Sequence, residues 1–181
     1  MLEFVEYKPY QVYEWIAYMY GYDKIRHSAI DSKEHQDFII ECMTRSPVNK
    51  CLELGTLFGV STVLLAEWSN FVYTIDKDNC MEKYRLWEHT KTMNKIMAMK
   101  SYDNRHKEQI CRNLDFDFCF IDDQHDYEGA EIGYEIGKKC GRVLFHDYGT
   151  SFPGITKFVD KLPIEEMTIE PPFAYWEAKN G

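Results

Sequence analysis

The residues of this chain that could do chemistry are bunched. Asp76 follows the apolar run Phe71 to Ile75. Asp122, Asp123, Gln124 and His125 follow FDFCFI, His146 and Asp147 follow Val143 to Phe145, and Glu53 stands two residues before Gly55 in a short apolar run around Cys51, Leu52 and Leu54. Core strands of a parallel sheet are apolar along their length, so polar groups that begin where the run stops lie at strand ends, over one crevice. Singly, each could equally be a helix N-cap or a solvated turn residue, and Asp126, directly before a helical pattern, reads as an N-cap. Together they offer more. Asp122, His146 and Asp147 carry hard oxygen and nitrogen donors of the kind that suits Mg2+ or Mn2+. An acceptor hydroxyl must lose its proton either to a nearby base or with the help of such a cation. His125, with an unperturbed imidazole pKa of roughly 6.5, is a proton acceptor at neutral pH. Asp76 is placed to accept hydrogen bonds from ribose hydroxyls.

The elements that must position these groups are read most clearly in KCLELGTLFGVSTVLLAEWSNFVYTID, from Lys50 to Asp76. It reads as strand, glycine loop, a helix from Val60 to Trp68, strand, acid. Gly55 and Gly59 would let the backbone approach a ligand closely. The spacing is neither the G-x-G-x-x-G of dinucleotide folds nor a P-loop, since no Gly-Lys-Ser/Thr follows. Glu53 would repel a pyrophosphate but suits a ligand with an amino group and a positive charge, both of which S-adenosylmethionine has.

Glu53 to Ser61, ELGTLFGVS, resembles the first motif of class I S-adenosylmethionine-dependent methyltransferases, and most closely the E-x-G-x-x-x-G-x-S version of catechol-type O-methyltransferases. FDFCFIDDQHDYEGA and RVLFHDY resemble the group that includes macrocin O-methyltransferase and cephalosporin hydroxylase-like proteins. The resemblance runs from about Ser32 to Leu162. It implies a Rossmann-like sheet, S-adenosylmethionine as cofactor, and cofactor contacts from Glu53, Gly55, Gly59, Ser61, Asp76 and Asp122. The D-x-x-H spacing of Asp122 and His125 is similar to the metal aspartate and catalytic-base histidine of macrocin-type enzymes, with His146 and Asp147 completing the metal set. There are departures. Asp123 stands where that group commonly has Gly, and His146-Asp147 replaces Asp-Asn or Glu-Asp, which lowers the site charge. Ser101-Tyr102-Asp103 replaces the Gly-Asp pair expected where adenine is contacted.

The implied activity is O-methylation of a small hydroxylated acceptor, a sugar or a natural product. Two other readings stay open: a non-catalytic domain that keeps the fold for binding or assembly, and an NAD-dependent oxidoreductase on a similar sheet. Glu53 and the missing dinucleotide fingerprint count against the second.

The remaining chain fits a doubly wound α/β sheet. Helical patterns over Gln11 to Tyr20, and from a capping box at Asp31 and Glu34 through Met43, precede the first strand. They form an N-terminal cover over 1–48, ahead of a cofactor-binding core over 49–181, and either shape the acceptor pocket or simply cover a sheet face. A surface helix over Asn79 to Thr92, with Met81, Tyr84, Leu86 and Trp87 facing inward, leads to a strand over Ile96 to Met99. Helices follow over Asn104 to Arg112, Tyr127 to Gly137 and Ile155 to Leu162. Met167 to Glu170 and Phe173 to Glu177 pair as an antiparallel hairpin at a sheet edge.

Size and composition set bounds. At 181 residues the chain suits one domain with a sizeable core, and 45% hydrophobic and 15% aromatic content argue against disorder. A net charge of −9 with a pI near 5.2 weighs against nucleic acid or an anionic membrane as partner. The six cysteines are scattered, without a C-x-x-C pair, as suits small core residues in a reducing compartment. No signal-peptide pattern or long apolar run is seen, so the expected location is cytoplasmic. The short chain leaves little material for an acceptor pocket, so the expected partners are a small-molecule acceptor and a second subunit, in a homo-oligomer, that completes it. His27, His35, His89 and His106 are expected to be solvated.

Overall fold

The computed structural model describes residues 30, 32–78 and 80–179. The first helix pattern and His27 lie outside the described residues. Seven strands form one sheet: β1 (Lys50–Leu54), β2 (Phe71–Asp76), β3 (Ile96–Lys100), β4 (Phe118–Ile121), β5 (Arg142–Phe145), β6 (Met167–Glu170) and β7 (Phe173–Glu177). The order is β3-β2-β1-β4-β5-β7-β6. β1 to β5 run parallel, and β7 is antiparallel to both β5 and β6. This is the doubly wound sheet with a closing hairpin that the alternation of apolar runs implies.

Alternate strand residues feed two cores. Cys51, Val72, Phe118, Phe120, Leu144 and Tyr175 pack with helices α1 (Lys33–Thr44), α2 (Val60–Glu67) and α3 (Glu82–His89) on one face. Leu52, Leu54, Ile75, Cys119, Ile121, Val143, Phe145 and Trp176 pack with α4 (Asn104–Cys111), α5 (Tyr127–Gly137) and α6 (Pro153–Val159) on the other. Burial on both faces is why β4 and β5 read as unbroken apolar runs. Chain order reverses direction between β1 and β4, and the crevice that opens there at the carboxyl ends of the strands is where such sheets hold ligands.

Three local expectations are corrected. The cap of α1 is Ser32, whose Oγ accepts from His35 N at 3.1 Å. Asp31 lies outside the described residues. α3 begins at Glu82, so Met81 precedes its buried face and is 65% exposed, while Lys83 is buried. His35 is half-buried with its ring edge-on to Phe173 at 5.3 Å, not solvated. The C-terminal end of α1 is tied to the sheet by Arg142 of β5. Its guanidinium donates to the carbonyls of Cys42, Met43 and Ser46, and to Tyr175 Oη. Among the described residues no helix is long and apolar enough to cross a membrane.

Candidate active site

A cleft of about 290 Å3 opens at the carboxyl ends of β1, β2 and β4, lined by Gly55, Thr56, Leu57, Phe58, Val60, Ser61, Asp76, Lys77, Asp78, Asp122, Asp123 and His125. Its glycine loop is held from below. Asp76 Oδ2 accepts from the N–H groups of Thr56 and Leu57, each at 2.7 Å, and Oδ1 accepts from Asp78 N at 2.8 Å. These bonds hold Leu57 at φ 45, a left-handed backbone that a leucine adopts only when its surroundings fix it. Asp76 therefore braces the loop as well as facing the cleft.

Gly55 has φ +93, and a Cβ there would stand 2.0 Å from the carbonyl oxygen of Asp122. Its missing side chain admits the loop after β4, which brings Asp122 over the cleft. Gly59, at φ +73, does not line the cleft. A Cβ there would stand 2.6 Å from Trp87 Nε1, which donates to Gly59 O at 3.0 Å. Its smallness serves the packing of α3 against the start of α2.

Glu53 lies beside the same loop. It is fully buried beneath the loop, on the same face of β1 as Cys51. Oε1 accepts from Ser61 Oγ at 2.6 Å, and Oε2 accepts from Thr62 Oγ1 at 2.6 Å and Thr74 Oγ1 at 2.5 Å. Burial pushes its carboxyl up to about 7, against the pull of these three hydroxyls and with a further push from Asp122. Of its partners only Ser61 lines the cleft. The register explains the network: Glu53 is paired with Thr74 across the β1–β2 ladder.

At the other end of the cleft the two remaining clusters meet. His146 Nδ1 lies 2.9 Å from Asp122 Oδ1 and 3.4 Å from Asp147 Oδ2, and His125 Nε2 lies 3.0 Å from the same Asp147 oxygen. His146 N donates to Ile121 O at 3.0 Å, which extends the β4–β5 ladder and sets the two loops side by side. Asp147 has φ 64, the left-handed turn that places its carboxylate beside both imidazoles. Asp122, His146 and Asp147 each offer a ligand atom within 4.8 Å of the others. Burial lowers the His146 pKa, but the Asp122 charge and hydrogen bonds to Asp122 and Asp147 outweigh it and push it up to about 10. His125 is raised chiefly by its hydrogen bond to Asp147, despite partial burial. Burial would raise Asp147, yet the two imidazoles hold it well below the carboxylate range. This corrects the picture of His125 as an imidazole of ordinary basicity. Its ring stacks on Phe152 at 4.2 Å, a contact no sequence signal announced.

The arrangement thus brings Gly55, Ser61, Asp76, Asp122 and His125 to one cleft, with His146 and Asp147 directly beside it. Its two ends suit a nucleoside over Asp76 and a reacting group over Asp122 and His125. Sequence reasoning missed Thr62 and Thr74. Their signal is hydroxyls inside otherwise apolar segments, VSTVLLA and FVYTI.

The comparisons with known proteins agree on the architecture. An O-methyltransferase from Bacillus cereus, solved in complex with SAH, superposes with a TM-score of 0.65 at 16% identity, over 92% of this chain and 97% of the other. The SAH-bound methyltransferase PaMTH1 of Podospora anserina gives 0.70 at 13% identity, over 95% and 88%. An rRNA methylase from Streptococcus thermophilus gives 0.59 at 14% identity, over 82% and 96%. The fold is that of these methyltransferases. No protein-family model matches the sequence, and no curated protein does.

Proposed function

We propose that this protein is an S-adenosylmethionine-dependent methyltransferase that O-methylates a small hydroxylated acceptor. The observation that carries the reading is the single cleft that joins the Asp76-braced glycine loop to the Asp122–His125 loop. A cofactor with its ribose at Asp76 and its sulfonium toward Asp122 has its methyl group beside His125. Methyl transfer breaks the S–CH3 bond as the O–CH3 bond forms, and much of the rate comes from holding the acceptor oxygen in line. In this reading Gly55, Ser61, Asp76 and Asp122 contact the cofactor. His125 takes the acceptor proton on the ring nitrogen that Asp147 does not hold, since Nε2 keeps its hydrogen on the Asp147 carboxylate. Because that imidazole is raised by Asp147, its base form is reached at higher pH than for a free histidine.

Asp122, His146 and Asp147 fit a divalent cation such as Mg2+ or Mn2+: three hard donors converge, with no thiol among them. When bound, such an ion would stabilise the alkoxide or phenolate of the acceptor. His125 shares Asp147 with that site and stays available on the cleft side.

The test is calorimetry with S-adenosylhomocysteine and NAD, followed by methyl transfer to panels of phenols and sugars. Binding of S-adenosylhomocysteine without NAD binding is expected. His125→Ala should keep that affinity and lower the transfer rate by roughly 100-fold. The wild-type rate should show an acidic limb centred above pH ~6.5 that the variant lacks. A variant that keeps the limb and most of its rate would remove His125 as the base.

A further inference from the structure

The donors at the ends of β4 and β5 do not suit every divalent ion alike. Asp122 and Asp147 offer carboxylate oxygens, but the third donor is the imidazole nitrogen of His146, the softest of the three. It stands where the resembled groups carry an acid, as Asp-Asn or Glu-Asp. Mg2+ takes oxygen ligands and gives up its water reluctantly, so it gains least from such a nitrogen. Imidazole suits the later first-row ions, whose affinity for a given site also rises along the row.

Three contacts fix which atom His146 presents. Its backbone N–H donates to Ile121 O at 3.0 Å, which registers the residue against the end of β4. Its ring is backed by Phe173, with centroids 5.2 Å apart at 47°. Phe173 is itself 1% exposed and stacks on Phe38 of α1 at 5.5 Å, so this wall belongs to the core. Nδ1 is thereby turned to the carboxylates, 2.9 Å from Asp122 Oδ1 and 3.4 Å from Asp147 Oδ2. An ion shared by the two carboxylates meets this nitrogen as well.

We propose that His146 selects the metal: the site takes a later first-row ion such as Fe2+, Co2+ or Zn2+ and discriminates against Mg2+. This rests on the divalent-cation reading above and narrows it. An oxygen donor at position 146 would complete an all-oxygen set and remove most of the discrimination.

The test is calorimetry with Co2+ and with Mg2+ at one pH, on the wild-type chain, His146→Asn and His146→Asp. Each is first checked for cooperative unfolding and for S-adenosylhomocysteine binding. The first variant exchanges nitrogen for oxygen without adding charge, and the second adds a charge as well. The Co2+ to Mg2+ affinity ratio should be at least ~10-fold larger in wild type than in either variant, the scale of one better-matched ligand. Pulsed electron paramagnetic resonance of bound Mn2+ should show nitrogen coupling in wild type and none in the variants. An unchanged ratio in both variants, or coupling that persists in them, would overturn His146 as the selector. A ratio that falls in His146→Asp alone would assign the discrimination to charge and overturn it likewise. Should neither variant fold, the wild-type spectrum still decides, since a bound ion without nitrogen coupling overturns the proposal. If wild type binds S-adenosylhomocysteine but neither ion, the metal reading and this inference fall while the methyltransferase reading stands. Selective Co2+ binding without S-adenosylhomocysteine binding removes the methyltransferase reading alone.

Discussion

Replacing Glu53 by Gln should change how the stability of this protein depends on pH. The Glu53 carboxyl is fully buried, and burial lifts it from the ordinary 4.5 to about 7 even though three hydroxyls donate to it. Between those two values the folded chain keeps a proton that the unfolded chain has released. The unfolded state then binds fewer protons, so stability falls as pH rises. The contribution is intact below pH 4.5 and is lost by the time pH passes about 7. At about 1.4 kcal/mol per pKa unit, the loss is roughly 3 kcal/mol. A glutamine has no proton to lose, and its carbonyl and amide can still serve hydroxyls that either donate or accept. Whatever the constant offset between the two proteins, their stability difference should move by ~3 kcal/mol in favour of Glu53→Gln between pH ~4.5 and pH ~8. Urea unfolding of both at half-unit pH steps measures this directly. A difference that stays flat across the range would show that Glu53 titrates as a solvated carboxyl does, and the account of a desolvated acid under the glycine loop would be wrong.

Two further outcomes follow from the strand ends. His146 is held protonated to about pH 10 by its two aspartates and must give up that proton to bind a metal. Mn2+ affinity, followed by the electron paramagnetic resonance of the free ion, should therefore rise by up to ~10-fold per pH unit between about pH 6 and about pH 9, and a flat profile would take His146 out of the ligand set. Arg142→Met leaves three carbonyls of the α1 end and the Tyr175 hydroxyl without their donor. It should lower unfolding free energy by ~2–5 kcal/mol in urea titrations, since a buried, multiply bonded charge is lost. A loss of a few tenths would mean water reaches those carbonyls freely.

What the sequence determined by itself is the order of the elements and the bounds of several of them, though the helices expected over Asn79 to Thr92 and Ile155 to Leu162 run Glu82–His89 and Pro153–Val159. FDFCFI and VLF are apolar because both faces of β4 and β5 are covered, and the hairpin Met167–Glu170 with Phe173–Glu177 lies at its expected bounds. The helix Tyr127–Gly137 is likewise bounded by local signals, with Asp126 Oδ1 capping Gly129 N at 2.7 Å. The strand-end acids and imidazoles were legible for the same reason, since a switch from apolar to polar along the chain is a local property.

Only the tertiary structure decided which of those groups face the cleft. Glu53 and Ser61 belong to the same motif, yet one is sealed under the loop and the other lines it, because the Glu53 carboxylate meets Thr74 on the neighbouring strand. The space a side chain at Gly59 would fill is taken by Trp87, a residue from another helix. The raised imidazoles and the Lys107–Asp123 pair arise in the same way, from charges brought together by strand register and loop packing. Spacing along a chain fixes what a residue can do. Its protonation and its partners are set by neighbours distant in sequence, through desolvation and Coulomb forces that only the folded arrangement defines.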